Sequence, residues 1–298
     1  FEPMAKDYGY EIYFIELPFS EETVFLAKGY DAVCIFVNDH VNAQMIDTLH
    51  EMGVKALLLR SAGYNHVDTR AAKGKVAVLR VPSYSPEAVA EFAMAMLLTV
   101  NRFTHKAYGR TREFNMNING LMGTDLYHKV AGVIGTGKIG QAMIRIFHGF
   151  RMNVLAYDPY PNSNLDVQYV SLEELLSKAD FLSLHCPLTP DTHHIINEKT
   201  ISIMKDGAYL VNTSRGGLID TQALINAVTG GHLAGAALDV YEQEPLPMDA
   251  PILHTPGIQC IPHAGAETRE TYSNISMMTA QAVIDSLSGK EPKNWLNP

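Results

Sequence analysis

Val130-Ala-Gly-Val-Ile-Gly135-Thr-Gly137-Lys-Ile-Gly140 decides the fold. An apolar run, 130–134, meets glycines spaced Gly-x-Gly-x-x-Gly, and helical periodicity follows over 138–150. The spacing alone is common; a buried strand before it and a helix after it make it specific. Gly135 would allow the tight turn, Gly137 would let backbone approach a pyrophosphate, and Gly140 would let helix and strand pack closely. The helix start, with Lys138 and Ile139 in its first turn, offers free N–H groups and a positive dipole end to phosphate. The next strand, 153–157, ends at Asp158, where a carboxylate can accept from ribose hydroxyls and repel a 2′-phosphate. The reading is an NAD site rather than an NADP site. The plainer alternative is a glycine turn that binds nothing, with Asp158 a turn residue before Pro159.

Working outward, short apolar runs alternate with helix-like segments. Strands are expected at 11–17, 32–37, 55–59, 76–81, 130–134, 153–157, 181–184, 208–211, 234–238 and 258–261, rich in Val, Ile and Leu with little alternation. That is the pattern of strands buried on both faces, as in parallel sheets. Helices are expected at 43–52, 87–112, 138–150, 172–177, 221–228 and 267–287. Repeated strand–helix–strand order predicts an α/β protein with doubly wound parallel sheets. So many strands call for two such domains, with the long helix from Glu87 as a beam between them. Residues 1–8 read like the middle of a helix, so a preceding strand and part of a helix are expected to be missing.

The chain has 298 residues, enough for two cores. Its 23 basic and 32 acidic residues give a net charge of −9, with no basic block, which argues against nucleic acid or an anionic membrane as main partner. No apolar run is long enough for a membrane span. Cys34, Cys186 and Cys260 are too few and too scattered for a disulfide framework or a metal pair. Each lies in an apolar run and is expected to be a buried, reduced thiol in a cytoplasmic protein. No metal site is expected.

Downstream of the glycine turn, three segments follow apolar strands: Leu210-Val-Asn-Thr-Ser-Arg215-Gly-Gly, Ala237-Leu-Asp239-Val-Tyr-Glu242-Gln-Glu244-Pro245, and Ile261-Pro-His263-Ala-Gly. An Arg fork at a strand's carboxyl end can hold a carboxylate in bidentate fashion. Taken singly, each is as well read as a surface Arg, solvated loop acids or an ordinary His. Their conjunction at the strand ends of one nucleotide-binding unit points to chemistry.

These motifs, with Ala32-Val-Cys-Ile-Phe-Val-Asn-Asp39, Leu59-Arg-Ser-Ala-Gly-Tyr-Asn-His-Val-Asp68, 81–91 and Leu184-His-Cys-Pro-Leu-Thr189, resemble the D-2-hydroxyacid dehydrogenases over nearly the whole chain, most closely the bacterial fermentative D-lactate dehydrogenase branch. The resemblance implies a Rossmann-type NAD domain (84–265) inserted into a flavodoxin-like substrate domain made from 1–83 and 266–298. It implies a homo-oligomer, a dimer or dimer of dimers, joined through the nucleotide domain. It further implies that Arg215 grips the substrate carboxylate, that His263 is the acid/base, and that Glu244 hydrogen-bonds that His. Tyr84 would lie near the reacting carbon, and the backbone of Ala62 and Gly63 would bind the carboxylate of a small 2-keto or 2-hydroxy acid. His185, Pro187, Thr213 and Asp239 would line the cofactor.

The segment after the candidate His, Ala264-Gly-Ala266, departs from that branch, which carries a bulky aromatic there. It looks more like glycerate or phosphoglycerate dehydrogenases, so hydroxypyruvate, 2-ketoisocaproate or phenylpyruvate rival pyruvate as substrate. An NAD-sensing corepressor of the same fold is the alternative from another class, and would bind NADH without brisk turnover. The intact Arg215, Glu244 and His263 argue against an inactive homologue.

Overall fold

The computed structural model describes residues 6–82, 85–290 and 294–297. The chain divides into two compact units: 1–85 with 268–298, and 86–267. The first carries a parallel three-stranded sheet in the order β1 (Ala32–Ile35), β2 (Ala56–Leu59), β3 (Ala77–Arg80). Central β2 is buried along its whole length, and its run of leucines suits a strand covered on both faces. Helix α1 (Ala43–Glu51), capped by the Asn42 side chain on Met45 N, packs Met45, Ile46 and Leu49 into the core on one face. On the other face, Leu58 and Leu79 cluster with Ala282 of a long C-terminal helix, Arg269–Leu287. Asn297 ties the chain end to the sheet, accepting from Val78 N and donating to Val76 O.

The second unit is a seven-stranded, wholly parallel sheet. Its strands are β4 (Val130–Ile134), β5 (Asn153–Tyr157), β6 (Gln168–Tyr169), β7 (Phe181–Leu184), β8 (Ala208–Asn212), β9 (Leu233–Leu238) and β10 (Ile258–Cys260). The order β10-β9-β8-β7-β4-β5-β6 reverses direction between β4 and β7, and ligands of such sheets bind at that switch point, outside the strands' carboxyl ends. One face is covered by α2 (Pro86–Arg102) and α4 (Lys138–Gly149), through Met94, Leu97, Met143 and Phe147; α3 (Thr104–Arg112) buries no residue. The other face is covered by α5 (Leu172–Lys178), α6 (Glu198–Ser202) and α7 (Thr221–Thr229), through Leu175, Ile201 and Leu224.

Several expectations are corrected. Segment 11–17 is not a strand: Tyr13, Phe14 and Ile15 are exposed, and apolar composition does not make a strand without a pairing edge. The helix expected over 87–112 breaks at Phe103, which sits in the left-handed region at φ 50° and separates α2 from α3. Strand β6 and helix α6 are additions too short to carry a periodic signal. Cys34 is exposed on edge strand β1, whereas Cys186 is buried and Cys260 half-buried; all three are free. Of the 1–8 segment, residues 1–5 lie outside the described residues, as does Tyr84.

Candidate active site

The glycine turn joins β4 to α4. Gly135 has φ 92°, and a Cβ there would lie 2.6 Å from Cys186 N, so the turn packs backbone to backbone on the β7 exit. A Cβ on Gly140 would come 2.0 Å from the Gly135 carbonyl oxygen. Gly137 is the opposite case: nothing lies within 4 Å of the position its Cβ would take. Gly137 is also the N-cap of α4 and caps with no side chain, leaving first-turn N–H groups for a ligand. Lys138 and Ile139 open that helix. The turn is therefore tight where helix meets strand and open where phosphate would approach, which fits a dinucleotide.

Asp158 closes β5. Its Oδ2 accepts from Thr136 N (2.7 Å) and Thr136 Oγ1 (2.9 Å), and its Oδ1 from Tyr160 N (2.9 Å). Burial opposes its charge, but these hydrogen bonds outweigh it and hold the carboxyl below the ordinary range. Thr136, unremarked in the sequence, is thus the hinge between acid and glycine turn, and it accepts from Tyr169 as well. At the β7 exit, His185 shares a hydrogen bond with Ser183 Oγ (2.9 Å), and burial pushes its imidazole down to about 4. The Pro187 carbonyl accepts from Thr192. Thr213 Oγ1 is buried at the end of β8 with no hydrogen-bond partner among the described residues, a polar atom suited to a ligand.

Arg215 follows β8 in a loop braced by Asn212, whose side chain donates to Arg215 O and accepts from Ser214 N. One guanidinium nitrogen donates to Ser214 O (2.6 Å), and no described carboxylate forms an ion pair with the group. Glu244 follows β9: its Oε1 accepts from Tyr241 N (3.0 Å), and its Oε2 meets His263 Nδ1 (2.9 Å). Burial works against ionisation of Glu244, but the His263 and Tyr241 hydrogen bonds and the Arg215 charge keep its carboxyl below the usual range. His263, beyond β10, adopts φ 53°, in the region a non-glycine residue occupies only when its surroundings hold it there. Asp239 supplies that hold. It is buried, and its two oxygens accept from Ala264 N (2.7 Å) and Gly265 N (2.8 Å), so it orders the backbone after His263. Burial raises its pKa in spite of those bonds. Tyr241 ties the two strand exits together by donating to Ile261 O (2.7 Å).

The structure thus gathers Arg215, Glu244 and His263 at the carboxyl ends of adjacent strands. His263 Nδ1 is engaged by a carboxylate, and no described residue takes Nε2, an arrangement that would suit a proton transfer. In the other unit, Ala62 and Gly63 lie in a loop braced by Ser61 Oγ on Gly63 O and Arg80 on Ala62 O. No described acceptor takes their N–H groups. No group of metal-ligating side chains occurs among the described residues, and none of their helices is long and apolar enough to cross a membrane.

Residues 94–265 match the family model described as D-isomer specific 2-hydroxyacid dehydrogenase, NAD binding domain. A 2-hydroxyacid dehydrogenase homolog of Zymomonas mobilis is 43% identical, over 97% of this chain and 93% of that protein. The apo-structure of D-lactate dehydrogenase from Escherichia coli superposes with a TM-score of 0.93 at 43% identity, covering 99% of this chain and 95% of that one. The pyruvate reductase of Chlamydomonas reinhardtii gives 0.91 at 40%, covering 98% and 93%. With the switch-point glycine turn and the Arg–Glu–His arrangement in place, the chain belongs to the D-isomer-specific 2-hydroxyacid dehydrogenases and is an NAD-dependent oxidoreductase of that family.

Proposed function

We propose that this enzyme reduces pyruvate to D-lactate, with His263 as proton donor, Glu244 as its partner and Arg215 as the carboxylate clamp. The observation that carries the reading is the 2.9 Å contact of His263 Nδ1 with Glu244. A carboxylate on Nδ1 fixes the ring and balances the imidazolium charge, so Nε2 delivers a proton to the substrate's carbonyl oxygen. Bound NADH supplies the hydride. Arg215, in no ion pair with a described carboxylate, takes the substrate carboxylate as a fork and polarises the neighbouring keto group. Gly135, Gly137, Lys138, Ile139 and Gly140 hold the pyrophosphate, Asp158 faces the ribose, and His185, Pro187, Thr213 and Asp239 border the cofactor.

The substrate reading draws on two relatives, a D-lactate dehydrogenase and a pyruvate reductase, each at 40% identity or more. A second reading, a bulkier 2-keto acid, is favoured by the small Ala266 after the candidate His. A methylene or two discriminates by only ~1–3 kcal/mol in an apolar pocket, so activity toward several acids is expected. The test is NADH oxidation with a panel from glyoxylate and pyruvate to 2-ketoisocaproate and phenylpyruvate, with the handedness of each product determined. Pyruvate should lead and yield the D isomer. A bulkier acid in the lead would replace the lactate reading with the second one, and NADH binding without turnover would sink both.

The same enzyme is proposed to be a cytoplasmic homodimer joined through the nucleotide unit. After α3, Arg110 donates to Asn117 O and Asn119 O, so the loop is ordered, yet Phe114 and Met122 are 92% and 91% exposed. Exposed apolar side chains gathered on a braced loop support an interface there. Phe114→Glu with Met122→Glu should convert dimer to monomer in sedimentation velocity. A wild-type monomer, or a dimer untouched by the double substitution, would remove this assignment.

A further inference from the structure

Glu242 has no part in the chemistry assigned above, yet its carboxylate is held on both oxygens. Oε1 meets His194 Nε2 at 2.7 Å, and Oε2 accepts from Thr221 N (3.1 Å) and from the Thr221 hydroxyl. These partners lie on different connections. His194 belongs to the segment between β7 and α6, and Thr221 opens α7 shortly after Arg215. A carboxylate at the first turn of α7 also sits at the positive end of that helix. Glu242 itself lies two positions before Glu244, in a turn that the Glu244–Tyr241 hydrogen bond closes on itself. That hydrogen bond braces the turn internally, but something must place it against its neighbours.

The backbone shows how close the placement is. A Cβ on Gly216 would fall 1.8 Å from the Tyr241 carbonyl carbon, so the Arg215 loop and the Glu244 turn touch main chain to main chain. His194 N donates to Gly217 O (2.9 Å) and Ile196 N to Leu218 O (3.0 Å), which fastens the His194 segment to the same loop. His194 holds φ 51°, and its carbonyl accepts from Asn197 Nδ2. Glu242 is the side chain that bridges all three connections.

We propose that Glu242, held by His194 and Thr221, is a positioning residue that sets the Glu244 turn, and through it His263, in register with the Arg215 loop. The proposal rests on the reading that Arg215, Glu244 and His263 carry the reaction. Glu242→Ala should lower kcat for pyruvate reduction by about 10–100-fold, the scale of loss from a misplacement near 1 Å. NADH should still bind one site per chain, with Kd within about twofold of wild type, because the glycine turn is not on this bridge. The primary isotope effect with deuterated NADH should rise as the chemical step becomes limiting, which a simple loss of folded enzyme does not produce. Glu242→Gln keeps an acceptor for Thr221 and should recover kcat to within about threefold. His194→Ala should lose less than Glu242→Ala, and the double variant should be no worse than Glu242→Ala alone, because the two side chains act as one unit.

The proposal is overturned if Glu242→Ala keeps kcat within about twofold, or if its loss only tracks the loss of NADH-binding sites. Should Glu242→Ala not fold, His194→Ala on folded protein decides by the same two criteria. His263→Gln run alongside separates the two levels. A normal rate there defeats the reading of the site, whereas an inactive His263→Gln beside a normal Glu242→Ala defeats only the positioning role.

Discussion

His263→Gln is expected to bind NADH as wild type does and to lose reductase activity by about 10²–10⁴-fold, the usual contribution of a placed general acid. The turn 241–244 and the Asp239 latch on Ala264 and Gly265 use no atom of the His263 ring, so they stay in place. What is lost is a proton that can be delivered and replaced. NADH fluorescence titration and steady-state rates measure the two effects separately. Turnover near the wild-type rate would take the proton-transfer role away from His263. A parallel loss of NADH binding would mean that the residue shapes the cofactor site instead.

The second large effect is expected at the glycine turn, where two positions that look equivalent in the motif should behave differently. At Gly140, alanine gains about 1 kcal/mol of helix propensity. Its Cβ, however, would stand 2.0 Å from the Gly135 carbonyl oxygen, a backbone atom that moves only if the turn itself opens. Overpacking of that kind costs about 1–3 kcal/mol or more and wins over the propensity gain. Gly140→Ala should therefore lower Tm and weaken NADH by about tenfold or more, equivalent to at least ~1.4 kcal/mol. Gly137→Ser faces open space and keeps a good N-cap residue, so the protein without cofactor should melt as wild type while NADH binding still falls. Equal melting temperatures for Gly140→Ala and wild type would show that helix and strand are not packed as tightly as described. Unchanged NADH binding in Gly137→Ser would remove the phosphate from that opening.

What the sequence made legible was whatever a short window encodes. The glycine spacing, the apolar runs of β4, β7 and β8, and the order Arg215, Glu244, His263 can all be read without coordinates. Pairing cannot. Segment 11–17 has the composition of a strand, and only the structure shows that none of it joins a sheet. Conformation at single residues is also hidden: nothing in an apolar helical stretch announces that Phe103 will turn left-handed. The same limit applies within the site. Asp158 was visible as an acid at a strand end, but the hold of Thr136 on it joins residues 22 positions apart. Asp239 was expected against the cofactor, and the structure adds that both its oxygens order the backbone after His263, 25 and 26 positions away. Glu242 and Glu244 are alike as loop acids, and only the resemblance singles out Glu244; their different partners, His194 with Thr221 and His263 with Tyr241, tell them apart physically.

The margins of the seven-stranded sheet bear on how the protein behaves in a crowded solution. A parallel sheet presents unpaired N–H and C=O groups along its two outermost strands, and any extended segment of another polypeptide can dock there and prolong it. Here the outermost strands are the stubs of the sheet: Gln168–Tyr169 at one margin and Ile258–Cys260 at the other. So few exposed ladder positions give an intruding strand little to hold, and edge-on growth into fibrils is discouraged at both sides. The longer apolar strands that would nucleate such growth, β4, β8 and β9, are each flanked by two partners.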